Sequence, residues 1–550
     1  MSTVSPLLFL ILVPLVAAVL VMVGGKARTI SLIASALNLI FLLVLAAQFS
    51  RTEPGFQFVS SFPLVPQLGI HFILGADGLS LVMLFLSTAV TLAAVAVARP
   101  PVSNDRWFYA SLLLISAGVV GAFASVDVFL FYMFHELALI PTFLLIGIWG
   151  SGDRQAAAWK ATVYLATGSF VLLLGLIGLY LLQPVGERSF DLRHIIHLAE
   201  TGLIPDNPIV YLLLLFGFGT LVSLFPFHTW APQAYASAPA PAAMLHAGVL
   251  KKFGLYGLIR ICAPVFPDSI QALLPLLLVL IVGNILYVGY VTIAQRKLDT
   301  MLGYSSVMHM GYIFLGFAAL NVVSLTGASL MLLSHGLTVA LLFALCGEIR
   351  ERPGTLEFSE LGGIARATPR LGLAFGFAAM ASVGLPGFIG FASELMVFFG
   401  SFVGEPTQMR FQTQTAAEVF RFNSIQIATI CAVWGIVISA IYMLRAYRKI
   451  FMGPLPERWA RLPDLAGLSR FRVAGRPLIT GFRLLPRWTP VAAFTPCPLR
   501  RRCQCAELLR IEAGAPYGIA HGRTGPETGL TKRLMDRFGL SGRQHFGIVL

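Results

Sequence analysis

The sequence predicts an all-α, polytopic membrane protein, and three observations support that prediction. The chain of 550 residues is 57% hydrophobic and only 12% charged, whereas soluble domains carry about 25% charged residues. Apolar runs recur through most of the chain, each about 20 residues long and therefore able to cross a bilayer. Ionisable side chains stand inside several of these runs. Such groups are costly at membrane depth and usually functional, so the pattern indicates transport of ions or protons.

The apolar runs predict thirteen membrane-spanning helices, the first three of which occupy residues 1–98. The first run lacks a basic start and a second run follows it at once, which argues against a cleaved signal peptide. The predicted spans are 5–24, 29–48, 76–98, 107–124, 126–148, 159–182, 208–234, 242–261, 269–293, 301–320, 326–347, 371–402 and 424–447.

Two of the predicted spans are interrupted by helix-breaking residues. Span 7 contains Pro226, and span 12 is broken around Pro386 and its flanking glycines. Lipid cannot satisfy the backbone groups that such breaks free, so each break must lie inside protein or line a wet cavity. Broken helices at matching places in two halves are typical of inverted-repeat transporters. We predict inverted five-helix repeats at 107–261 (helices 4–8) and 269–452 (helices 9–13); a general enrichment of Pro and Gly in membrane helices is the alternative.

The distribution of charge predicts the orientation of the chain and sets its C-terminal segment apart. Residues 1–454 hold 23 Lys+Arg against 19 Asp+Glu, whereas residues 455–550 hold 16 against 6. The membrane part is therefore nearly neutral, and we expect no nucleic-acid partner. Its basic residues favour an orientation with the N-terminus outside, and we expect the location to be a bacterial-type inner membrane. The Arg- and Pro-rich segment 455–550 is either a cytoplasmic tail or the product of a reading-frame change; we favour the second.

Cofactor-binding patterns are missing from the sequence. Of the six cysteines, Cys503 and Cys505 form a C-x-C pair without further partners, which is no zinc or cluster pattern. The sequence contains no dinucleotide fingerprint or iron–sulfur motif. We therefore expect no metal site and no cofactor-binding site in this chain.

Three ionisable residues in the first predicted repeat are candidates for proton transfer. Glu136 stands well inside span 5, where a carboxylate must be protonated or paired with a cation. Lys251 and Lys252 lie in the middle of span 8, where a desolvated lysine can exchange protons near neutral pH. On a regular helix the two would point about 100° apart, so we expect only one to face the interior. The alternatives are an interhelical hydrogen bond for Glu136 and snorkelling for the lysines.

The remaining candidates are one acid and a set of histidines. Glu394 follows the break in span 12 and is a plausible exit group, or else a partner for freed backbone amides. Histidine carries protons near pH 7, and histidines scattered over many helices fit a water-linked relay better than a metal site, although each could equally be a packed residue. These histidines are His135, His228, His246, His309 and His335.

Several long motifs resemble the antiporter-like membrane subunits of proton-translocating NADH:quinone oxidoreductase, respiratory complex I, and above all its chain M family. The similarity covers about residues 1–455 and is carried by the segments FHELALIPTFLLIGIWG, LFPFHTWAPQAYASAPAPAAMLHAGVLKKFGLYGLIR, MLGYSSVMHMGYIFLG, SHGLTVALLFALCGE and SVGLPGFIGFASELMVFFGSF.

The resemblance implies a fourteen-helix, inverted-repeat fold with discontinuous helices 7 and 12 and a central line of charges. Matched by motif, the family's charged residues of helices 5, 8 and 12 fall on Glu136, Lys252 and Glu394. The resemblance also implies that NADH, FMN, iron–sulfur clusters and quinone are bound by partner subunits. Those partners would be neighbouring membrane subunits and, through them, a hydrophilic redox arm, with lipid around the chain.

Three departures from the family pattern bear on function. Leu221 occupies the position where the family usually has a helix-7 lysine, so the expected partner of Glu136 is missing. Ser116 stands where many members have a helix-4 acid, and no fourteenth span follows residue 455. The proton route through the first repeat could instead use Lys251 or His228.

The sequence therefore predicts a membrane-arm proton-translocating subunit with Glu136 as modulator, Lys252 as central carrier and Glu394 as exit group. The alternatives are a subunit of a multisubunit Na⁺/H⁺ antiporter or membrane-bound hydrogenase, and a structural paralogue whose pumping is impaired.

Overall fold

The structure is a computed structural model that describes residues 5–53, 55–100, 105–404, 422–465, 472–473 and 476–477. The chain divides into two units, Met1–Arg470 and Phe471–Leu550. Within the described part of the first unit, helices dominate. They are α1 (Leu7–Val23), α2 (Ala27–Gln48), α3 (Gly78–Val97), α4 (Asp105–Ala124), α5 (Val128–Trp149), α6 (Arg154–Leu182), α7 (Leu192–Glu200), α8 (Pro208–Val222), α9 (Trp230–Ser237), α10 (Ala240–Gly248), α11 (Phe253–Gly257), α12 (Ala263–Val265), α13 (Pro267–Ala272), α14 (Leu274–Val282), α15 (Val288–Ala294), α16 (Leu298–Ala318), α17 (Val322–Glu351), α18 (Pro369–Val383), α19 (Ile389–Val403) and α20 (Ser424–Phe451).

Eight helical stretches of the described residues are long and apolar enough to cross a membrane by themselves. A multi-pass membrane protein is thereby confirmed. Of the other predicted spans, the first, seventh and twelfth contain the shorter apolar helices α1, α8, α18 and α19, whereas the tenth coincides with the 21-residue α16. The count of thirteen spans stays a prediction.

A β-hairpin departs from the all-α prediction. Strand β1 (Gln57–Val65) pairs antiparallel with β2 (Ile70–Ala76) in the connection between α2 and α3, which no predicted span covers. The hairpin is fixed to the bundle through Asp127, which accepts a 3.0 Å hydrogen bond from the His71 amide and also caps α5. Because the connection pairs its own backbone groups, it needs no helix to satisfy them. We call this side of the bundle the hairpin end.

The opposite side, here called the arginine-rich end, is held by ion pairs. Arg99 follows α3 and contacts Glu348 of α17 at 2.9 Å. Arg350, also on α17, contacts Asp299 of α16 at 2.9 Å and donates to the Ser151 hydroxyl at 3.0 Å. These contacts fix the ends of α3, α16 and α17 and the α5–α6 loop to one another.

The predicted breaks in spans 7 and 12 are confirmed as interruptions of the helices. α8 ends at Val222 and α9 begins at Trp230, with Pro226 between them. α18 ends at Val383 and α19 begins at Ile389, with Pro386 between them.

Three further irregularities were not predicted. A 3-10 turn separates α10 from α11, and it consists of Leu250–Lys252. Two π-helical segments, Leu258–Cys262 and Gly283–Tyr287, lie within predicted spans 8 and 9. Such segments are frequent at functional sites, and one of these three carries both lysines.

Close packing of α6 on α8 depends on small residues. A Cβ atom at Gly217 would lie 2.6 Å from the Cα of Leu172, and one at Gly175 would lie 2.8 Å from a methyl carbon of Leu214. Small residues let membrane helices approach at backbone distance. This packing positions Ser169 of α6 beside α5, where Glu136 lies.

The second unit contributes two described strands, β3 (Arg472–Val473) and β4 (Arg476–Pro477), which pair antiparallel. Most of the segment 455–550, on which the interpretation as a tail or a changed reading frame falls, lies outside the described residues.

We predict that Gly217→Ala destabilises the protein by about 1–3 kcal/mol, because the added methyl group collides with the α6 backbone. Thermal unfolding of the purified protein in detergent would show this as a lowered midpoint. The matched control is Gly78→Ala, since nothing lies within 4 Å of a Cβ at Gly78. Equal midpoints for the two variants would contradict this account of the packing.

Candidate functional site

The break in span 7 is satisfied by a buried asparagine from another span. Asn284 is fully buried, accepts a hydrogen bond from the Phe225 amide at 2.5 Å and donates to the Val307 carbonyl at 3.1 Å. The Trp230 indole donates to the Thr220 carbonyl at 3.1 Å across the same break. The freed backbone groups therefore find their partners inside protein, as lipid requires.

His228 lies within this break and is 4% exposed. Its ring stacks on Phe225 at 5.7 Å between ring centroids and meets the edges of Tyr287 and Tyr304. The surroundings are aromatic. His228 is thus a packed residue whose Nδ1 has no hydrogen-bond partner among the described residues, which suits a structural role as well as proton transfer.

Both lysines of span 8 are fully buried, which corrects the expectation that only one faces the interior. Lys251 is 1% exposed and Lys252 is 0% exposed. Leu250–Lys252 is a 3-10 turn and not the regular helix that the expectation assumed, but such a turn still sets adjacent side chains about 120° apart. Both lysines are therefore buried because protein surrounds this span, and not because they share one face. Spans pack around the turn on every side, so neither ammonium group can snorkel.

The two lysines reach different partners. The Lys252 Nζ donates to the Ala247 carbonyl of its own span. The Lys251 Nζ lies 3.4 Å from the Ser306 hydroxyl of α16 and 5.6 Å from the centre of the Tyr235 ring on α9. Lys251 therefore joins three spans, whereas Lys252 is held within one.

Tyr235 also links Lys251 to a histidine. Its hydroxyl lies 3.1 Å from Nδ1 of His246, and both residues are buried. His246 is therefore brought close to the lysine pair. Sequence reasoning missed Tyr235, which carries no charge and stands in a motif with several more conspicuous residues.

His309, His335 and Glu394 line one small buried cavity of about 20 Å³ between α16, α17 and α19. The His309 ring nitrogens lie 2.8 Å from the Ser305 carbonyl and 3.1 Å from the Ser382 carbonyl. When both ring nitrogens carry a proton, each can therefore donate to one of these carbonyl oxygens. The rings of His309 and His335 lie 5.4 Å apart.

Glu394 lies against the break in span 12. A Cβ atom at Gly384 would occupy the place of its carboxylate, and Gly384 also has the left-handed φ of 76° that favours glycine. The carboxylate is 5% exposed and faces the histidine cavity. The break thus makes room for a buried acid.

Glu136 occupies a separate place on the α5–α6 flank. Its carboxylate accepts a hydrogen bond from Ser169 and lies 3.5 Å from Nδ1 of His135. Among the described residues, His135 is its one ion-pair partner within 4.0 Å. Glu136 is 33% exposed and lines a cavity of about 240 Å³ between α5 and α6. The structure therefore does not bring it into contact with either lysine.

The two positions that depart from the family pattern are apolar or neutral inside the bundle. Leu221 is 2% exposed and belongs to the hydrophobic core near the end of α8. Ser116 accepts a hydrogen bond from the Thr91 hydroxyl at 3.1 Å, which links α3 to α4.

His135 lies between Glu136 and the lysine turn. Its ring stacks on the ring of Phe253, the residue that follows Lys252, with 4.1 Å between the centroids.

No group of three or more His, Cys, Asp or Glu side chains that could hold a metal ion occurs within the described parts of the chain. The buried groups are amines, imidazoles, carboxyls and hydroxyls. What this set can do chemically is accept, hold and release protons.

Interrupted helices around a buried ionisable centre define a multi-pass membrane transport module. The chain belongs to the NADH:quinone oxidoreductase/Mrp antiporter transmembrane family, whose model matches residues 125–417. It is 37% identical to NAD(P)H-quinone oxidoreductase chain 4 of Gloeobacter violaceus, over 83% of this chain and 84% of that protein.

Solved structures also resemble the chain. A chain of respiratory complex I from Thermus thermophilus superimposes with a TM-score of 0.73 at 27% identity, covering 84% of this chain and 91% of that one. A chain of the Mrp complex from Dietzia gives a TM-score of 0.68 at 24% identity, covering 82% and 80%. The second likeness shows the fold alone. The family expected from the motifs is confirmed.

We predict that Asn284→Leu destabilises the protein by roughly 1–3 kcal/mol, because it leaves the Phe225 amide buried without a partner and removes the side-chain hydrogen bond to the Val307 carbonyl. Unfolding in denaturant, followed by tryptophan fluorescence, would measure the loss. Thr292→Val is the matched control: Thr292 is equally buried on the same span, but its hydroxyl bonds only to the Val288 carbonyl of its own helix. A loss no larger than that of the control would contradict the role given to Asn284.

Proposed function

We propose that this chain is a membrane-arm proton-translocating subunit of an NADH:quinone oxidoreductase. The observation that carries the proposal is the fully buried pair Lys251 and Lys252 on a break in a membrane span. Burying amines at that depth is costly, and the relatives that share the fold are named as subunits of this class of enzyme.

Within this function Lys252 is the central proton carrier, Glu136 the modulator and Glu394 the exit group. The histidine cavity supports the last role, since it places two imidazoles beside the Glu394 carboxyl. Lys251, His228, His246, His309 and His335 are the secondary relay candidates. Neutralising one group would change the proton affinity of the next, so the sites would titrate as a coupled set.

The finer architecture belongs to the same proposal. Helices 1–3 fill residues 1–98, the inverted repeats span 107–261 and 269–452, and segment 455–550 is atypical. The arginine-rich end faces the cytoplasm of a bacterial-type inner membrane and the N-terminus lies outside, in keeping with the positive-inside rule.

The chemistry of electron transfer is assigned to partner subunits. NADH, FMN, iron–sulfur clusters and quinone would be bound there, and this chain would convert the signal of electron transfer into movement of protons. Its partners would be neighbouring antiporter-like membrane subunits and, through them, the hydrophilic arm.

A subunit of a multisubunit Na⁺/H⁺ antiporter is the second candidate, because the family includes the Mrp antiporters and an Mrp complex shares the fold. Neighbouring genes distinguish the two: genes for flavin and iron–sulfur subunits would support the respiratory function, and genes for small antiporter subunits would support the other.

Replacing a charged side chain by a neutral one is expected to reduce proton translocation, and the reduction should be greater for the more deeply buried charges. Lys252→Met and Glu394→Gln should abolish the share of pumping that this chain contributes, and Glu136→Gln should reduce it. Fluorescence quenching of a pH-sensitive dye in inside-out vesicles, normalised to NADH oxidation, measures that share. Glu53→Gln, in the connection between α2 and the hairpin, is the control for loss of a carboxylate. Unchanged translocation in all three variants would overturn the proposal.

Leu221→Lys tests whether the chain is an impaired paralogue. If the groups present already support pumping, the added lysine should leave the number of protons moved per electron unchanged. An unpaired lysine at mid-membrane costs about 2.5–3.5 kcal/mol. The double variant Leu221→Lys/Glu136→Gln lacks the carboxylate expected to pair with the new lysine, so it should accumulate to a lower level in membranes. An increase in protons per electron would instead identify a pump that has lost part of its machinery.

A further inference from the structure

Two neighbours in sequence on α5, His135 and Glu136, point towards different parts of the bundle. The Glu136 carboxylate is 33% exposed and lines the cavity of about 240 Å³ on the α5–α6 flank. The His135 ring is 2% exposed and lies against Phe253 of span 8. Consecutive side chains of a helix diverge by about 100°, so both directions are compatible with a regular α5. The two side chains meet where Nδ1 of the ring lies 3.5 Å from Oε1 of the carboxylate.

The Glu136 carboxylate needs a cation or a proton at this depth in the membrane. Its hydrogen-bond partner, the Ser169 hydroxyl, is neutral and cannot balance a charge. Thr142 and Thr162 of the cavity wall donate to carbonyls of their own helices, and the rest of that wall is apolar. Within the described parts of the chain, His135 is therefore the group within 4.0 Å that can carry a balancing positive charge.

The surroundings of the His135 ring suit an imidazole that carries a proton on both nitrogens. Its Nδ1 atom has no hydrogen-bond partner among the described residues, and the Glu136 oxygen lies 3.5 Å away. One face of the ring stacks on Phe253 with 4.1 Å between the centroids, and Phe131 stacks on Phe253 in turn at 4.0 Å. The face of an aromatic ring carries negative charge density, which stabilises a protonated imidazole.

The inner side of His135 faces the span that carries the buried lysines. Phe253 follows Lys252 directly in the chain. α10 packs against α5 and ends at Gly248, just before the lysine turn Leu250–Lys252. A positive charge on the imidazole is thus directed from α5 towards the two amines. Ionisable groups that interact in this way influence each other's protonation.

We infer that His135 is the cationic partner of Glu136, that the two side chains share one proton, and that the pair transmits the charge state of Glu136 to the buried lysines. This inference rests on the proposed function and deepens it. In the resting form the proton is on Nδ1 of His135 and Glu136 is ionised. When the proton moves, the N–H bond at Nδ1 breaks and an O–H bond forms at Oε1. The pair is neutral overall in both forms, but the second form removes the positive charge that faces span 8.

The first test separates the nitrogen atoms of His135 from its ring. His135→Phe keeps an aromatic ring against Phe253 but removes the group that carries the proton. We expect Glu136 to be ionised in the unaltered complex and protonated in the variant, because an unpaired carboxylate at membrane depth takes up a proton. Infrared spectroscopy distinguishes a protonated carboxyl from a carboxylate. Subtracting the spectrum of the same complex with Glu136→Gln isolates the signal of this residue in each case.

The same protonation state of Glu136 with and without His135 would overturn the inference. Because this measurement does not depend on pumping, it decides about the pair whether or not the proposed function is correct. His135→Gln, whose side chain is smaller than that of histidine, takes the place of His135→Phe if the bulkier ring lowers the amount of chain in the membrane.

The second test asks whether the pair acts as a unit during translocation. The benchmark is the share of translocation lost in Lys252→Met, measured in inside-out vesicles that contain the whole complex. We expect His135→Phe and Glu136→Gln each to lower that share about fivefold, and the double variant to lower it about fivefold as well, because the second change removes an interaction that is already lost. A reduction of about 25-fold in the double variant, as for two independent residues, would contradict the inference.

His197→Phe is the control for the loss of an imidazole, because His197 is exposed on α7. It should pump normally. If His135→Phe also pumps normally while Lys252→Met does not, the inference fails and the proposed function stands. If Lys252→Met itself pumps normally, the proposed function fails together with the transmission to the lysines, and the infrared measurement still decides whether His135 and Glu136 form a pair.

Discussion

The burial of two adjacent amines is the constraint on which the rest of this structure depends. Lys251 and Lys252 lie side by side at 1% and 0% exposure, and lipid offers nothing that could stabilise them. The protein therefore supplies a carbonyl from the same span, a hydroxyl from α16 and an aromatic face from α9. Supplying them requires three spans to converge at one depth, so that each lysine of the 3-10 turn finds its own partners.

Interrupted helices are the second consequence of that requirement. A regular helix uses its backbone groups in its own hydrogen bonds, whereas a broken helix leaves carbonyls and amides free to bond with other segments. Asn284 satisfies the Phe225 amide in the break of span 7, and the break in span 12 leaves space for the Glu394 carboxylate at Gly384. Both breaks thus belong to the polar centre. The first is stabilised by Asn284, and the second leaves space for a carboxylate, neither of which a regular span would need.

The first half of the bundle differs from the second in how its acid is placed. Glu394 is buried among histidines, but Glu136 is one-third exposed on the α5–α6 flank and contacts His135 and Ser169. Leu221 contributes only apolar surface at the position where the motif resemblance implies a lysine. The buried lysines of this half are therefore gathered on span 8, and Tyr235 joins them to His246.

The sequence alone determined the membrane class, the breaks at Pro226 and Pro386 and the family, because apolar length, helix-breaking residues and long motifs are properties of the linear chain. It also picked out the residues that proved to be buried and ionisable, such as Lys252 and Glu394, since charge in an apolar run is conspicuous. The tertiary structure decided what those residues touch. The burial of both lysines, the hairpin and the roles of Tyr235 and Asn284 depend on contacts between segments distant in the chain. Such contacts leave no periodic pattern in the sequence, because the role of a neutral hydroxyl or amide in an apolar run depends on the residue that folding packs against it.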